Sequence, residues 1–478
     1  MDPIPQPPRL RPELARDLGL SHAGAVVVGT IIGSGIFLVP TEMMQAVGSA
    51  RMVYLAWMVG GLLSFFGALT YAELGAMKPQ AGGEYVYVRD GYGPLAGFLY
   101  SWTTFLISKP ASIASITTGL VRILGTFQIF SFFSQPFFSQ SISRHSSYTF
   151  ILTYGQLVAV AATFFISWLN YIGIRRAGEF QFLFTLLKVA IILGIVAVGF
   201  SYSGGTWANF ATEFTGAKGG ITGFFAALVA ALWAYDGWND LNMVAGEIRN
   251  PQRNIPLALI WGVATVGALY ILVNAAVQYV LPAAAIAASE RPASDAVALV
   301  LGHAGAGLVS TGMAISMLVT LNGSTMSGAR VPFATARDGY FFESVAQVHP
   351  RYHTPSVAIL VQCGLAITLL LLGGSFRQFF SLAIFSEWLF YMITGSTVFV
   401  FRRRHPNAVR PYRVWGYPIV PAVFILVSAA LLYYTFTDNL KSSAAGCLVI
   451  LAGVPVFYWF SWRRSKRTPL ISTTESPK

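Results

Sequence analysis

Four apolar stretches of this chain carry groups that a lipid-facing helix should avoid. In "VVVGTIIGSGIFLVP", residues 26–40, Gly33, Ser34 and Gly35 interrupt a run otherwise apolar enough to cross a bilayer. In "ALWAYDGWNDLNMVAGE" the interruption is Asp236, Gly237, Asn239, Asp240 and Asn242. Lys188 stands alone in "FQFLFTLLKVAIILGIV", and Asn322, Ser324 and Ser327 lie in "LVTLNGSTMSGARVPFATARDGYF". Polar groups at membrane depth are costly and face a cavity or a partner. Unwinding at Gly33–Gly35 frees the N–H groups of Ser34, Gly35 and Ile36 at the start of a half-helix, where donors and the positive dipole end attract a carboxylate. The carbonyl of Ile31, and those of Trp233, Ala234 and Asp236 at the second interruption, can accept from an ammonium. The two interruptions together describe a receptor for a zwitterion, held by backbone.

The elements that must position these groups follow from composition. Hydrophobic residues make up 55% of 478 positions and charged residues 10%, and mean hydropathy is +0.61; soluble domains carry about 25% charge. Apolar runs recur near the ~20 residues that cross a bilayer. Counting them predicts an all-α membrane protein of twelve spans, centred near residues 32, 64, 108, 160, 190, 233, 268, 315, 363, 390, 428 and 452. Arg175, Arg176, Arg402–Arg404, Arg463 and Arg464 fall in connections that the positive-inside rule places in the cytoplasm together with both termini. The formal charge of +12 is then mostly topology. Attraction to lipid headgroups accounts for the rest, and no nucleic-acid partner is needed. The N-terminal stretch has no short apolar region with a cleavage site and reads as a retained tail.

Interruptions in spans one and six, five spans apart, fit two inverted five-helix repeats with discontinuous first helices, an architecture used for transport. The expected layout is a tail over 1–17, repeats over 18–202 and 203–404, two extra helices with their preceding loop over 405–463, and a tail over 464–478. Cys363 and Cys447 fall inside apolar spans, and the histidines show no ligand pairing. With no phosphate loop, dinucleotide fingerprint or nucleophile–base motif, neither cofactor, metal nor enzymatic activity is expected. Lys188 is too far from either span end to snorkel. Asp236 is expected to bond the unwound backbone, meet an ammonium or carry a proton; Asp240, one turn on, could share its face, where like charges repel, so one of the two is expected to be solvated from outside. Lys109 and Glu387 also lie at depth without an identified partner, and Asn322 and Ser324 line a cavity or bond their own helix. The alternating "GGEYVYVRDGYG" is expected along the cytoplasmic interface.

"GTIIGSGIF", "YAELG" with "GGEYVYVRDGYG", "AYDGWND" with "GEIRNPQRNIPLAL", and "ARDGYFF" resemble, in this order, the amino acid–polyamine–organocation superfamily, within it the L-type amino acid transporters and their bacterial serine/threonine-exchanger-like members. The resemblance implies exchange of neutral L-amino acids across a bacterial plasma membrane, with Trp233 as an aromatic gate. It implies that Lys188 lies against the first break as a fixed charge replacing the cation of sodium-coupled relatives, so that no sodium gradient is needed. Eukaryotic light-chain members bear a cysteine between spans three and four; "GTFQIFSFFSQPFFSQSISRHSSYTF" has none, so no disulfide-linked heavy subunit is expected. Proton-coupled uptake and a binding-only sensor are the alternatives.

Overall fold

The computed structural model describes residues 13–141, 149–372, 376–438 and 440–467. It is mostly helical. In chain order the helices are α1 (Leu20–Ile31), α2 (Gly35–Val47), α3 (Ala50–Met77), α4 (Glu84–Tyr92), α5 (Pro94–Thr103), α6 (Lys109–Leu124), α7 (Tyr154–Tyr171), α8 (Ile174–Phe200) and α9 (Gly220–Ala234). They continue with α10 (Asp240–Met243), α11 (Pro251–Val280), α12 (Ala283–Ala288), α13 (Pro292–Gly328), α14 (Arg330–Arg337), α15 (Ser356–Leu372), α16 (Phe376–Arg404), α17 (Ile419–Asp438) and α18 (Leu440–Arg467). Among the described residues, seven helices are long and apolar enough to cross a membrane. Each expected span centre falls in a helix, in the π turn Thr104–Ser108, or at the break between α1 and α2. Helices satisfy every internal N–H and C=O within the segment, which hydrocarbon cannot do.

The helices are apolar outside and selectively polar inside. On α8, Gln181, Thr185, Lys188 and Ile192 form one buried stripe, while Leu183, Leu186, Leu187 and Leu193 are exposed. That 3.6-residue periodicity turns Lys188 inward and away from either membrane surface. The central core joins residues of the broken helices, such as Val26, Phe37 and Leu232, to Trp57 on α3 and Tyr270 on α11.

Two expectations need correction. A purely helical chain was expected, yet Pro136–Ser141 and Thr149–Thr153 pair antiparallel, with Phe138 opposite Leu152 and Ser139 opposite Ile151. Aromatic and β-branched residues favour this extended pairing, which gives the Phe- and Ser-rich connection a structural use. The segment expected along the interface is instead α4, with Glu84, Tyr85, Val86, Tyr87 and Val88 all buried. Its alternation fails to mark a surface because partners lie on both sides: Tyr85 and Arg89 meet Asp338, while Glu84 and Tyr87 meet Asn239 and Asn242. The N-terminal residues 1–12 and C-terminal residues 468–478, which hold most of both expected tails, lie outside the described residues.

Candidate functional site

The first interruption is a true break. α1 ends at Ile31, Ile32 has ψ 86°, and the helix resumes at Gly35. The Gly33 N–H turns back to the Ile31 carbonyl at 2.8 Å. The N–H groups of Ser34, Gly35 and Ile36 have no acceptor among the described residues and start a thirteen-residue helix. Lys188 closes the other side of the break. Its Nζ donates to the carbonyl oxygens of Gly29 (2.8 Å), Ile32 (2.5 Å) and Ser316 (3.1 Å), and the residue is 1% exposed. Ser316 Oγ also donates to Ile32 at 2.8 Å, and Thr320 Oγ1 to Gly29 at 3.2 Å. An ammonium has three donors, and here three carbonyls from two helices receive them.

The second interruption runs from Tyr235 to Asn239, between α9 and α10. Gly237 has φ +104°, a left-handed conformation that side chains resist, and a Cβ there would meet Thr30 Cγ2 at 2.8 Å. A Cβ on Gly35 would lie 2.8 Å from Ala234 Cα, so the two breaks touch backbone to backbone. Tyr270 joins them: its Oη donates to Ile31 O at 3.1 Å and Ala234 O at 2.8 Å. Two carbonyls expected to be free for an ammonium thus already share one phenol hydrogen, although each keeps a second lone pair.

A cavity opens between the breaks. Ile31, Gly33, Ser34 and Gly35 line one side, and Trp233, Ala234 and Asp236 another. Ser324 also lines it, and its buried Oγ has no partner among the described residues. Ile36 is not among the lining residues and turns its side chain into the core. Asn322 is not part of the wall: it accepts from Asn170 Nδ2 at 2.8 Å and donates to Ala177 O (3.0 Å) and Gln181 Oε1 (2.8 Å), tying α7, α8 and α13 together. Lys188 lies behind the first break and outside the lining.

The unassigned charges meet at this cavity. Lys109 forms an ion pair with Asp240, both side chains being buried. Asp240 is therefore not solvated, because a cation 131 positions away reaches it. Lys109 follows the π turn Thr104–Ser108, a type of irregularity that often accompanies functional positions. Asp236 accepts from Tyr391 Oη at 2.7 Å, Tyr391 also donates to Asn239 Oδ1 at 3.0 Å, and Asn239 Nδ2 donates to Glu84 Oε1 at 2.6 Å. Burial lifts the Glu84 carboxyl, in the connection after α3, to about 7. Glu387 completes the wall beside Asp236.

Sequence reasoning missed Tyr270, Ser316, Thr320 and Tyr391. A tyrosine, serine or threonine in an apolar helix carries no signal until its neighbours are known. The motifs behind the resemblance also contribute a buried network. Arg330 binds Glu247 through Nε–Oε2 (2.8 Å) and Nη2–Oε1 (3.0 Å), with both side chains fully buried. Glu73 of "YAELG" takes Arg402 Nη2 at 2.6 Å and the Val414 N–H at 2.7 Å.

Residues 18–460 match the family described as amino acid permease. The chain is 32% identical over 457 residues to the serine/threonine exchanger SteT of Bacillus subtilis (strain 168), covering 95% of this chain and 98% of that protein. It is 30% identical over 469 residues to human b(0,+)-type amino acid transporter 1, covering 96% and 91%. It is 31% identical to mouse Asc-type amino acid transporter 1, covering 98% and 85%. With the two broken helices packed against each other around a polar cavity, these similarities identify the chain as a multi-pass membrane protein of the amino acid permease family, within the amino acid–polyamine–organocation superfamily.

Proposed function

We propose that this chain is a sodium-independent, alternating-access exchanger of neutral L-amino acids in a bacterial plasma membrane. The observation that carries the reading is the seat of Lys188 Nζ among the carbonyls of Gly29, Ile32 and Ser316. A fixed cation there braces the first break, the service a bound sodium ion would otherwise perform. The α-carboxylate is assigned to the N–H groups of Ser34, Gly35 and Ile36. The α-ammonium is assigned to the remaining lone pairs of Ile31 and Ala234 and to the Trp233 and Asp236 carbonyls, and Trp233 covers the bound molecule. The reading includes twelve spans in two inverted five-helix repeats plus two helices, cytoplasmic termini, and action without a disulfide-linked subunit. Relatives named as a serine/threonine exchanger and as amino acid transporters support the substrate class.

The test is a competition panel in proteoliposomes, with each proteinogenic L-amino acid and its D-enantiomer set against labelled alanine. Competition by small neutral L-amino acids and weak competition by their D-forms is expected. Indifference to every α-amino acid contradicts the reading.

A further inference from the structure

Away from the central cavity, a second pocket opens where three distant parts of the chain meet, on the side that the arginine-rich connections assign to the cytoplasm. It is lined by Asp17 from the segment before α1, by Gly173, Arg175 and Arg176 at the start of α8, and by Arg351 and His353 from the connection between α14 and α15. Each part is held in place. Thr354 Oγ1 donates to Tyr171 O at 2.8 Å, and the rings of His349 and Tyr352 stack with centroids 4.6 Å apart. The Leu18 N–H donates to Glu247 O at 3.0 Å, and the Arg249 N–H to Leu18 O at 2.8 Å.

The charges in this pocket do not balance. Arg175 pairs with Glu179 at 3.0 Å, and Asp17 is 3.5 Å from Arg249. Arg176 and Arg351 have no carboxylate partner among the described residues; the Arg351 guanidinium lies over the Tyr352 ring. Two guanidiniums lining one concavity repel each other and present forked donors that match a phosphate. α8 begins without a side-chain cap, so its first N–H groups add to the same attraction.

The neighbouring surface tells a lipid phosphate from a free one. Trp168 in the last turn of α7 is exposed, as are Phe164 and Phe165 behind it and Leu183 and Leu186 along α8. A soluble anion makes no use of that apolar face. A phospholipid uses both, its headgroup on the arginines and its chains on the rings and leucines; basic pockets beside membrane helices suit such headgroups.

We propose that this pocket holds the phosphodiester of an anionic phospholipid, whose acyl chains lie along the exposed sides of α7 and α8. The headgroup neutralises Arg176 and Arg351. By bridging the segment before α1 and the start of α8, it fastens the entry of the first broken helix to the helix that carries Lys188. Phosphatidylglycerol therefore stabilises the chain more than phosphatidylcholine does, because a choline headgroup brings its own cation to the arginines. The site stands whichever amino acid the central cavity takes.

The experiment titrates phosphatidylglycerol, phosphatidylcholine or inorganic phosphate into the full chain in detergent. Native mass spectrometry reads the retained lipid, and thermal unfolding reads the stabilisation. Retention of phosphatidylglycerol over phosphatidylcholine is expected, with a matching rise in melting temperature and no rise with phosphate. Arg176→Gln combined with Arg351→Gln is expected to weaken phosphatidylglycerol binding by about tenfold or more. Arg403→Gln combined with Arg413→Gln removes the same charge elsewhere and should leave that binding unchanged. Equal weakening by both pairs reduces the effect to general attraction and overturns the site, as does equal retention of the two lipids. Stabilisation by inorganic phosphate as large as that by phosphatidylglycerol overturns the lipid assignment. Should the pocket variant not fold, the comparison of the two lipids on the unaltered protein decides.

Discussion

Lys188 Nζ lies 2.5 Å from the carbonyl oxygen of Ile32, the residue at which the first helix loses its hydrogen-bonding register. Gly29 and Ser316 supply the other two acceptors, so one ammonium fastens the break to both α8 and α13. Lys188→Ala is expected to lower exchange by about tenfold or more in sodium and in choline alike. Lys188→Arg should not restore it, because a planar guanidinium does not match three converging carbonyls. Initial rates of labelled alanine uptake decide; a normal rate in Lys188→Ala contradicts the assignment.

The two glycines flanking Ser34 differ in what surrounds them. A Cβ on Gly35 would lie 2.8 Å from Ala234 Cα, whereas one on Gly33 would meet Thr320 Oγ1 at an ordinary 3.5 Å. Gly35→Ala must separate the broken helices and should cost about 1–3 kcal/mol along with substrate affinity. Gly33→Ala should keep the thermal stability of the unaltered protein. Thermal unfolding in detergent, with and without alanine, separates the two; equal stability and alanine response of both variants would refute the difference.

Glu247 and Arg330 are fully buried and bidentate. Glu247→Ala leaves a guanidinium without its carboxylate in the interior, at a cost of about 3–5 kcal/mol. The double variant Glu247→Leu with Arg330→Met removes both charges and should regain most of that loss. Melting temperatures of the two proteins test this, and a double variant no better than Glu247→Ala would refute it.

Glu84 is expected to give the fold a pH dependence whose sign follows from its burial. Its folded value of about 7 lies above the ordinary carboxylate range, with burial the largest cause. The folded state therefore holds the proton more tightly than the unfolded state. Stability is greatest below the unfolded value and falls as pH rises from about 4.3 to about 7, by up to about 1.4 kcal/mol per unit. Glu84→Gln should flatten this slope while keeping an acceptor for Asn239. Melting temperatures across that window provide the check, and an unchanged slope in the variant would contradict it.

Both breaks were legible in the sequence because Gly33, Gly35 and Gly237 are conspicuous in apolar runs, as were the inward-facing Lys188 and Asp236. What they bind was less legible. The acceptors of Lys188 are backbone carbonyls, which no residue type announces. Lys109 and Asp240 are 131 positions apart, so their pairing needs the packed helices. One of Asp236 and Asp240 was expected to be solvated because like charges one turn apart repel; for Asp240 a buried lysine resolves that conflict instead. Asn322 showed the same limit: its composition suited a cavity wall, but its three hydrogen bonds hold helices together.

The most direct test of the central claim is counterflow. Labelled serine, alanine or threonine is presented to proteoliposomes that are empty or preloaded with the same amino acid, in sodium and in choline. An unloaded cavity leaves the half-helix donors and the Asp236 side without the zwitterion that joins them, and each 1.4 kcal/mol this adds to the crossing barrier slows the empty carrier about tenfold. Uptake much faster into loaded vesicles, and nearly equal in the two salts, is the predicted result; equal rates into loaded and empty vesicles, or a collapse of uptake in choline, would contradict it.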